Sequence, residues 1–489
     1  MNYNTMKNII KKQIERYNNN SKEDIGIVIS VLNNICIVSG LTTVMLGEKV
    51  IGDNGIIGIV LSLKEDHFNM LVFEGDVKES VVITRTKKLF YVNFTENIIG
   101  HVVDYKLESL NNNEVDKTET KELTLEKEIP DLKKRDFVSE SLLTGILAVD
   151  SLIPIGKGQR QLIIGNKTTG KSIMALDMII NQKHSDVICI YVGIGQKNSH
   201  IKRVEDILRD KKAMNYTVII TSNASDSSAK QYITPYVGIS VAEEFTRLGR
   251  DVLLIFDDLT KHAVAYREIS LLLGCNGGRE AYPGDIFYLH SRLLERGGKF
   301  AKNFRHGKSI TIIPVVETFD ISSYISTNII SITDGQIFLE ENLFNKNIKP
   351  AINVGMSVSR IGGNAQPKIM KEVCKTMKIQ IASIEELENF HEFSTDLDEK
   401  TKQILEKGRL LNNLLKQNYG NPYELWEEVI LIYGVTNDYI ISLENIRDLL
   451  NYIKDFHSEI IDMINKEDNT KEIINEIKKV LQNYVTTKS

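Results

Sequence analysis

The chain has 489 residues, 42% of them hydrophobic, and a formal net charge of −5 at pH 7. This length suits roughly three domains of about 100–200 residues each. The slightly acidic balance argues against a nucleic-acid-binding protein, because such proteins carry excess basic charge. The four cysteines have neither metal-site nor disulfide spacing, which indicates a reducing compartment. No run of 18 apolar residues occurs, so any link to a membrane is expected to come through partners.

Residues 1–22 are predicted to contain a short amphipathic helix that docks on another element. Ile9, Ile10 and Ile14 fall on one side of it, and the segment lacks the apolar core of a secretory signal peptide. An isolated helix of this length is marginal in water, so a frayed terminus is an equally open interpretation.

Three further domains follow from the changing pattern of the sequence. Residues 23–94 contain short apolar runs separated by frequent glycines, which predicts a small β-barrel or sandwich. Residues 95–366 alternate strand-like and helical runs, which predicts an α/β domain with a parallel sheet, although 105–135 is charge-rich and is interpreted as a solvated excursion. Residues 367–489 have few prolines and glycines and a helical period, which predicts a helical bundle.

A phosphate-binding loop lies in the α/β domain, where residues 165–172 read GNKTTGKS and fit the pattern G-x-x-x-x-G-K-[ST]. An apolar strand precedes the loop and a helical pattern follows it, as the motif requires. Lys171 is placed to reach the β- and γ-phosphates, and the Ser172 hydroxyl to bind Mg²⁺. The chain is therefore predicted to bind ATP or ADP. The predicted phosphate-binding residues are Gly165, Asn166, Lys167, Thr168, Thr169, Gly170, Lys171 and Ser172.

Two aspartates follow a second apolar run. Residues 252–256 read as a buried strand that ends in Asp257 and Asp258. A carboxylate at such a strand end can hold Mg²⁺ through water. A helix N-cap is the alternative role for one of the two.

Several longer segments identify a family. They are residues 148–160, 194–197, 257–261, 278–285, 287–296, 329–339 and 357–360. In these segments, and over nearly its full length, the chain resembles the alpha subunits of rotary F-type ATP synthases. The resemblance implies an N-terminal β-barrel, a central P-loop (RecA-like) nucleotide-binding domain and a C-terminal helical bundle, in the order already inferred.

The resemblance also implies an assembly. Three alpha and three beta subunits would form a hexamer around a gamma-type central shaft, held by a delta-type peripheral stalk subunit. The beta sites turn over ATP, whereas the alpha sites bind nucleotide and stay silent. The expected location is peripheral, on the cytoplasmic side of a bacterial cell membrane, with contact to the membrane only through partner subunits.

The resemblance assigns roles at the phosphate site. Gln196 stands where the catalytic beta relatives carry a glutamate, and Asp257 matches the residue on the Mg²⁺ side. An amide can hold water but cannot act as a general base near pH 7. Some NTPases position water with glutamine, so slow turnover stays open, as does an ordinary polar loop residue.

Arg360 matches the arginine finger that alpha subunits insert into the neighbouring beta site, with Ser357 as a supporting residue of the same loop. A guanidinium there neutralises charge that develops on the γ-phosphoryl group. Without the resemblance, an arginine paired with a carboxylate at a strand end would be the favoured interpretation.

The adenine pocket of the family is matched only in part by this sequence. Phe344, Pro350 and Gln417 match its positions. Lys349 stands where the family usually has arginine, and Tyr419 stands near the place of a glutamine. Since lysine cannot stack on a base as a guanidinium does, we expect a weaker or rearranged adenine contact.

The function implied is that of a non-catalytic alpha subunit in proton-coupled ATP synthesis or hydrolysis. An alpha-like subunit of a paralogous F-type-like ATPase, driving other membrane-associated or motility machinery, is the alternative that the sequence leaves open. A self-sufficient hexameric NTPase is disfavoured by Gln196 and by the lack of RNA-binding motifs in the N-terminal domain.

Overall fold

The structure is a computed structural model, and it describes residues 25–111, 114–375, 377, 379–381, 383, 399–466 and 469–488. The helix predicted within residues 1–22 lies outside the described residues. The described helices all lack the combination of length and apolar character that crossing a bilayer would need. The chain divides into two compact units. The first comprises Met1–Lys133, Ile188–Arg296 and Ser322–Ile332, and the second comprises Lys134–Val187, Gly297–Ile321 and Thr333–Ser489.

Strands occupy the first third of the described chain and then alternate with helices. The strands are β1 (Ile25–Leu32), β2 (Ile35–Gly40), β3 (Glu48–Gly52), β4 (Ile56–Leu63), β5 (His67–Glu74), β6 (Val82–Leu89), β7 (Tyr91–Phe94), β8 (Val102–Val103), β9 (Lys121–Thr124), β10 (Leu162–Gly165), β11 (Val187–Gln196), β12 (Thr217–Asn223), β13 (Asp251–Asp257), β14 (Gly298–Lys299), β15 (Ser309–Glu317), β16 (Gly335–Leu339) and β17 (Val358–Ser359). The helices are α1 (Leu147–Leu152), α2 (Lys171–Ile180), α3 (Asn198–Asp210), α4 (Ser228–Arg247), α5 (Leu259–Leu272), α6 (Ile286–Leu294), α7 (Tyr324–Ile332), α8 (Glu341–Asn345), α9 (Lys368–Val373), α10 (Glu399–Leu414), α11 (Leu425–Thr436), α12 (Ile446–Phe456), α13 (Ser458–Asn465) and α14 (Thr470–Lys488).

The first unit begins with a closed six-stranded barrel in the order β1-β2-β5-β4-β3-β6. Val38, Met70 and Ile83 are among the fully buried side chains of its core. Closure pairs every strand with two neighbours and leaves no open sheet edge. The predicted N-terminal β-barrel is confirmed.

The α/β part of the first unit has the strand order β13-β11-β12-β8, with β11 parallel to β12 and β12 parallel to β8. Strands β11 and β13 are buried along their whole length, as expected of parallel strands covered on both faces. Gln196 ends β11 and Asp257 ends β13. Both candidate side chains therefore stand at the carboxyl ends of strands, where ligands bind in such sheets.

The interpretation of 105–135 as a solvated excursion is wrong for part of that segment. Strand β9 pairs antiparallel with β7, and Tyr105, Leu107, Leu123 and Leu125 are all buried. Leu123 and Leu125 alternate with polar residues, and this period-2 pattern buries one face of a strand. The sequence analysis considered only the average composition of the segment, which is charged, and so missed the alternation of apolar and polar residues.

In the second unit, β10 lies between β15 and β16 and is parallel to both, while β17 pairs antiparallel with β16. The carboxyl-terminal helices pack together, with α11 in contact with α9, α10 and α13. Helix α11 is buried on several faces through Trp426, Val429, Ile430 and Leu431. The predicted parallel sheet and helical carboxyl-terminal region are confirmed.

Two fully buried histidines stand out in the first unit. The rings of His262 and His290 lie 5.5 Å apart, and Nε2 of His262 is 3.1 Å from the carbonyl oxygen of Tyr232. Neither ring nitrogen of His290 has a hydrogen-bond partner among the described residues. Burial lowers the pKa of His262 to about 4, with the nearby Arg292 cation acting in the same direction, and burial also lowers the pKa of His290.

These histidines contribute a loss of stability in mild acid. In the unfolded chain they take up protons near pH 6.5, whereas buried His262 takes one up only near pH 4. The stability that the two histidines contribute is therefore complete above about pH 6.5 and falls below it, by up to about 1.4 kcal/mol per pH unit for each, while buried Asp150, whose pKa is raised to about 6, acts in the opposite direction. Urea unfolding of the full chain between pH 7.5 and 5.5 measures this fall. His290→Gln should flatten the dependence, and His184→Gln, at an exposed histidine, should leave it unchanged.

Candidate functional site

The phosphate loop joins β10 to α2. Gly170 has φ +95°, a left-handed conformation that glycine adopts without strain, and it is the N-cap of α2. At Gly165, a Cβ would collide with the carbonyl oxygen of Leu339 on β16. The backbone geometry therefore requires glycine at both positions. With this geometry the first turn of α2 directly follows the loop, and its backbone N–H groups can bind a phosphate.

Lys171 is buried and folds back over the loop. Its Nζ donates hydrogen bonds to the carbonyl oxygens of Gly165 at 3.0 Å and Asn166 at 2.5 Å. The Thr169 hydroxyl also donates to the carbonyl of Asn166, at 2.9 Å. Ser172, the predicted metal residue, is half-buried in the first turn of α2. The ammonium group is therefore held beside the amide groups that would receive a phosphate.

The loop is also bound from α8. Nδ2 of Asn166 donates to Oε2 of Glu341 at 2.6 Å, and both side chains are exposed or half-buried. Phe344 lies on the same short helix, and the Nζ of Lys349 stands 5.1 Å from the centre of its ring. Lys167 and Thr168 are both exposed on the loop.

Gln417 and Pro350 lie near the loop helix α2, and their role in an adenine pocket stays a prediction. Together with Tyr419 and three other residues they line a cavity of about 10 Å³. This is room for about one water molecule. Gln417 binds backbone groups: its Nε2 donates to the carbonyls of Gly145 and Asn421, and its Oε1 accepts from the N–H of Leu147.

In the first unit, Gln196 and Asp257 are joined directly. Nε2 of Gln196 donates to the carbonyl oxygen of Asp257 at 3.0 Å and to its Oδ1 at 3.2 Å. Tyr191 donates its hydroxyl to Oδ2 of Asp257 at 2.6 Å, and Lys261 donates to Oε1 of Gln196 at 3.0 Å. Both ends of the Gln196 amide are therefore bound by protein groups.

Asp258 is a helix N-cap, which is the alternative role that the sequence left open for one of the two aspartates. Its carboxylate accepts a hydrogen bond from the backbone N–H of Lys261 at 2.8 Å and so caps α5. Such a cap stabilises a helix by about 1 kcal/mol. Asp257 stays the candidate for the metal side of the site.

The Arg360 loop is held by its backbone and by neighbouring side chains. The N–H of Arg360 donates to the carbonyl of Asp334 at 2.8 Å. The Asp334 carboxylate is bound by Arg160, whose Nε and Nη2 donate to it at 3.0 and 2.9 Å. The side chain of Arg360 is exposed, and among the described residues its guanidinium makes neither a hydrogen bond nor an ion pair.

Ser357 is buried three residues earlier and connects this loop to β16. Its hydroxyl donates to the carbonyl of Asn353 at 2.6 Å and accepts from the N–H of Phe338 at 2.9 Å. This fits the supporting role expected from the sequence. The function of Arg360 and Ser357 stays a prediction.

The sequence did not indicate four residues that bind the predicted site residues or their loops. Lys261 and Asp334 lie in segments that carried the family resemblance, yet nothing in their spacing pointed to these partners. Tyr191 reads as one more apolar strand residue. Glu341 contacts a loop 175 positions earlier in the chain, a pairing that no local pattern could indicate.

Comparison with known proteins matches two family models. Residues 145–359 match the nucleotide-binding domain of the ATP synthase alpha/beta family, and residues 366–484 match the C terminal domain of the ATP synthase alpha/beta chain. The ATP synthase subunit alpha of Clostridium botulinum (strain Eklund 17B / Type B) is 44% identical over 486 residues, 97% of this chain and 95% of the relative. That of Acholeplasma laidlawii (strain PG-8A) is 47% identical over 453 residues, 91% and 90% of the two chains.

The fold and the phosphate loop define a P-loop nucleotide-binding protein. The chain belongs to the ATP synthase alpha/beta family, and within it to the alpha subunits of the F-type, rotary ATPases. The resemblance drawn from the sequence is confirmed, and with it the assignment to a subunit of an ATPase complex.

The contacts of Gln196 predict the outcome of replacing it with glutamate. In Gln196→Glu, a carboxylate would face Oδ1 of Asp257 where the amide nitrogen now donates at 3.2 Å. We expect a loss of about 1–3 kcal/mol in unfolding free energy. Urea unfolding measures this effect.

The double variant Gln196→Glu/Asp257→Asn supplies the matched control. It exchanges donor and acceptor across the side-chain contact, so part of the lost stability should return, while the contact with the backbone carbonyl oxygen of residue 257 stays unpaired. A single variant as stable as the wild type would contradict this account of the contacts of Gln196.

Proposed function

We propose that this chain is the non-catalytic, nucleotide-binding alpha subunit of a rotary F-type ATPase. It binds Mg-ATP at its own phosphate loop and supplies Arg360 to the catalytic site of an adjacent beta subunit. The observation that carries the proposal is the exposed Arg360 guanidinium, unpaired among the described residues, on a loop whose backbone is fixed. An arginine finger needs both a guanidinium that is available to another subunit and a backbone that holds it in position.

The Arg160–Asp334 pair supports this assignment. Asp334 holds the backbone of Arg360 through its carbonyl oxygen, and two side-chain nitrogens of Arg160 bind its carboxylate. The arginine at the strand end that pairs with a carboxylate is therefore Arg160. Arg360 stays available to a group outside the chain.

The chain's own site is proposed to bind the polyphosphate through the loop amides and Lys171. The loop suits Mg²⁺, because the Ser172 hydroxyl offers a hard oxygen ligand of the kind that this ion prefers. In the proposal, this hydroxyl would hold the ion beside the phosphates. A bound Mg²⁺ would neutralise phosphate charge.

The site is proposed to lack turnover because of the contacts of Gln196. An amide has no basicity to offer, and both ends of this one are bound to Asp257 and Lys261. A free side chain is needed to orient an attacking water, so the present arrangement favours retention of the nucleotide over its hydrolysis.

Partners follow from the same proposal. Three copies of the chain would form a hexamer with three beta subunits around a gamma-type central shaft, with a delta-type peripheral stalk subunit as a further partner. It would be peripheral, on the cytoplasmic side of the membrane, and would serve proton-coupled ATP synthesis or hydrolysis.

Removal of the guanidinium tests the finger directly. In a complex reconstituted with its beta partner, Arg360→Ala should lower kcat by about 10³–10⁵, because charge on the γ-phosphoryl group is left unbalanced. Arg360→Lys should recover only part of this loss, since an ammonium lacks the planar fork. The measurement is steady-state ATP hydrolysis by the intact complex.

Arg447→Ala, at another exposed arginine, is the matched control and should keep wild-type turnover. Wild-type turnover by an intact Arg360→Ala complex would remove the assignment of the finger.

Substitutions at Ser357 give a second test, which asks whether this residue acts by positioning Arg360. Ser357→Ala removes both hydroxyl hydrogen bonds and should lower kcat with little change in KM, whereas Ser357→Thr keeps the hydroxyl and most of the activity. If Ser357 acts only through Arg360, Ser357→Ala/Arg360→Ala should be no slower than Arg360→Ala alone. An additional loss in the double variant would contradict that dependence.

A further inference from the structure

We propose that Asp150 and Glu428 form a binding site for one proton, and that this proton joins helix α11 to residues 144–150. Both residues belong to the second unit. The proposal goes beyond the proposed function, because it depends neither on nucleotide binding nor on Arg360. It follows from two carboxyl groups in the core, of which one is fully hydrogen-bonded and the other has no donor among the described residues.

Asp150 has the surroundings of a carboxylate. Its side chain is buried, and it accepts hydrogen bonds from the N–H and the hydroxyl of Thr144, at 2.9 Å each, and from the N–H of Gly145 at 2.8 Å. Donors that bind a carboxyl group in this way favour its charged form. Burial raises the pKa of Asp150 to about 6, so this group is ionised at neutral pH.

Glu428, on α11, has the surroundings of a carboxylic acid. It is only 1% exposed, and neither of its carboxyl oxygens receives a hydrogen bond from a described N–H or O–H group. It lies within hydrogen-bonding reach of the Asp150 carboxylate. Two carboxylates cannot bind each other, because neither has a donor, whereas a protonated carboxyl group can donate its O–H. Glu428 therefore holds the proton and donates it to Asp150.

The charges around Glu428 favour the same state. Burial, the Asp150 carboxylate and the neighbouring Glu427 all raise the pKa of Glu428 well above its ordinary value. The helices packed against α11 are α9, α10 and α13. Their described cations are exposed or bound elsewhere, namely Lys368 and Lys371 of α9, Arg409 of α10, and Lys407 of α10, which binds Asp438. The described acidic side chains of these helices are exposed, namely Glu372, Glu406, Glu459 and Asp462.

The two parts that the proton joins are in close contact. The N–H of Tyr423 donates to the carbonyl oxygen of Gly145 at 2.9 Å. A Cβ on Gly145 would come within 2.4 Å of the Cβ of Pro422, so there is no room for a larger residue. The start of α11 is thus held against the same turn whose N–H groups bind the Asp150 carboxylate.

The turn is also bound to the helix that follows the phosphate loop. Asn181 and Gln182, directly after α2, donate their side-chain amides to the carbonyl oxygen of Leu143 at 2.9 and 2.8 Å. Residues 143–150 therefore contact both the end of α2 and the start of α11. Loss of the proton would leave two negative charges in one buried site, and α11 would separate from these residues.

Infrared spectroscopy tests the proton directly, because the C=O stretch of a protonated carboxyl group is distinct from that of a carboxylate. We expect the difference spectrum between the wild-type full chain and Glu428→Gln, at pH 7.5, to contain one protonated-carboxyl band. Absence of this band would show that both groups are ionised, and would overturn the proposal.

The pH dependence of stability gives a second test, in which Glu428→Gln replaces the O–H donor by an amide N–H that does not titrate. An unfolded glutamate loses its proton near pH 4.3, whereas the folded pair keeps it, so wild-type stability falls as pH rises until the folded pair also loses the proton. The unfolding constant of the wild type, relative to that of the variant, should rise by up to about tenfold per pH unit between pH 5.5 and 8.5.

Trp426 is a suitable probe for urea unfolding, because it is the single tryptophan of the chain and is buried on α11. Glu406→Gln, at an exposed glutamate of α10, is the matched control and should show the wild-type pH dependence. Glu428→Met fills the same space without a proton site and should lose the dependence at a lower overall stability. A ratio of unfolding constants that does not change with pH, for either variant at position 428, would overturn the proposal.

Discussion

The pairing of Asp334 with Arg160 is the constraint on which the candidate interface loop depends. One carboxylate takes two guanidinium nitrogens and a backbone N–H of Arg160, and the carbonyl of the same aspartate holds the backbone of Arg360. A half-buried charge pair of this geometry is worth more than an exposed one, because solvent screens it less. The backbone at the base of the loop is held by these bonds, while the exposed Arg360 guanidinium has no partner among the described residues and stays available to a partner surface.

Other polar side chains are bound within the protein. In the first unit, Asp257 binds Tyr191 and Gln196, and in the second unit Gln417 binds a backbone carbonyl. Polar groups that are satisfied within the fold stabilise it and are less available to a ligand. Under the proposed function, the guanidinium of Arg360 differs from them in staying available to a partner.

The sequence was sufficient for the architecture and for the phosphate loop, because both depend on local patterns. A buried strand, a glycine-rich turn and a helix within twenty residues define the loop, and strand or helix periodicity defines the barrel and the bundle. The partners of Gln417 and Asn166 could not be predicted, since they come from residues about 270 and 175 positions away. The burial of Leu123 and Leu125 was missed because it depends on alternation within a charged segment and not on the average polarity of that segment.

The bonds around Gln196 also bear on how such a subunit can change over time. Since the amide, Asp257 and Lys261 hold one another, a codon change that restores a carboxylate at position 196 places it against another carboxylate. The gain of a carboxylate at this position would therefore pass through a destabilised intermediate or require coordinated substitutions. Under the proposed division between silent and working subunits, this cost opposes single-step reversal, and the barrier lies in the accessible mutational paths.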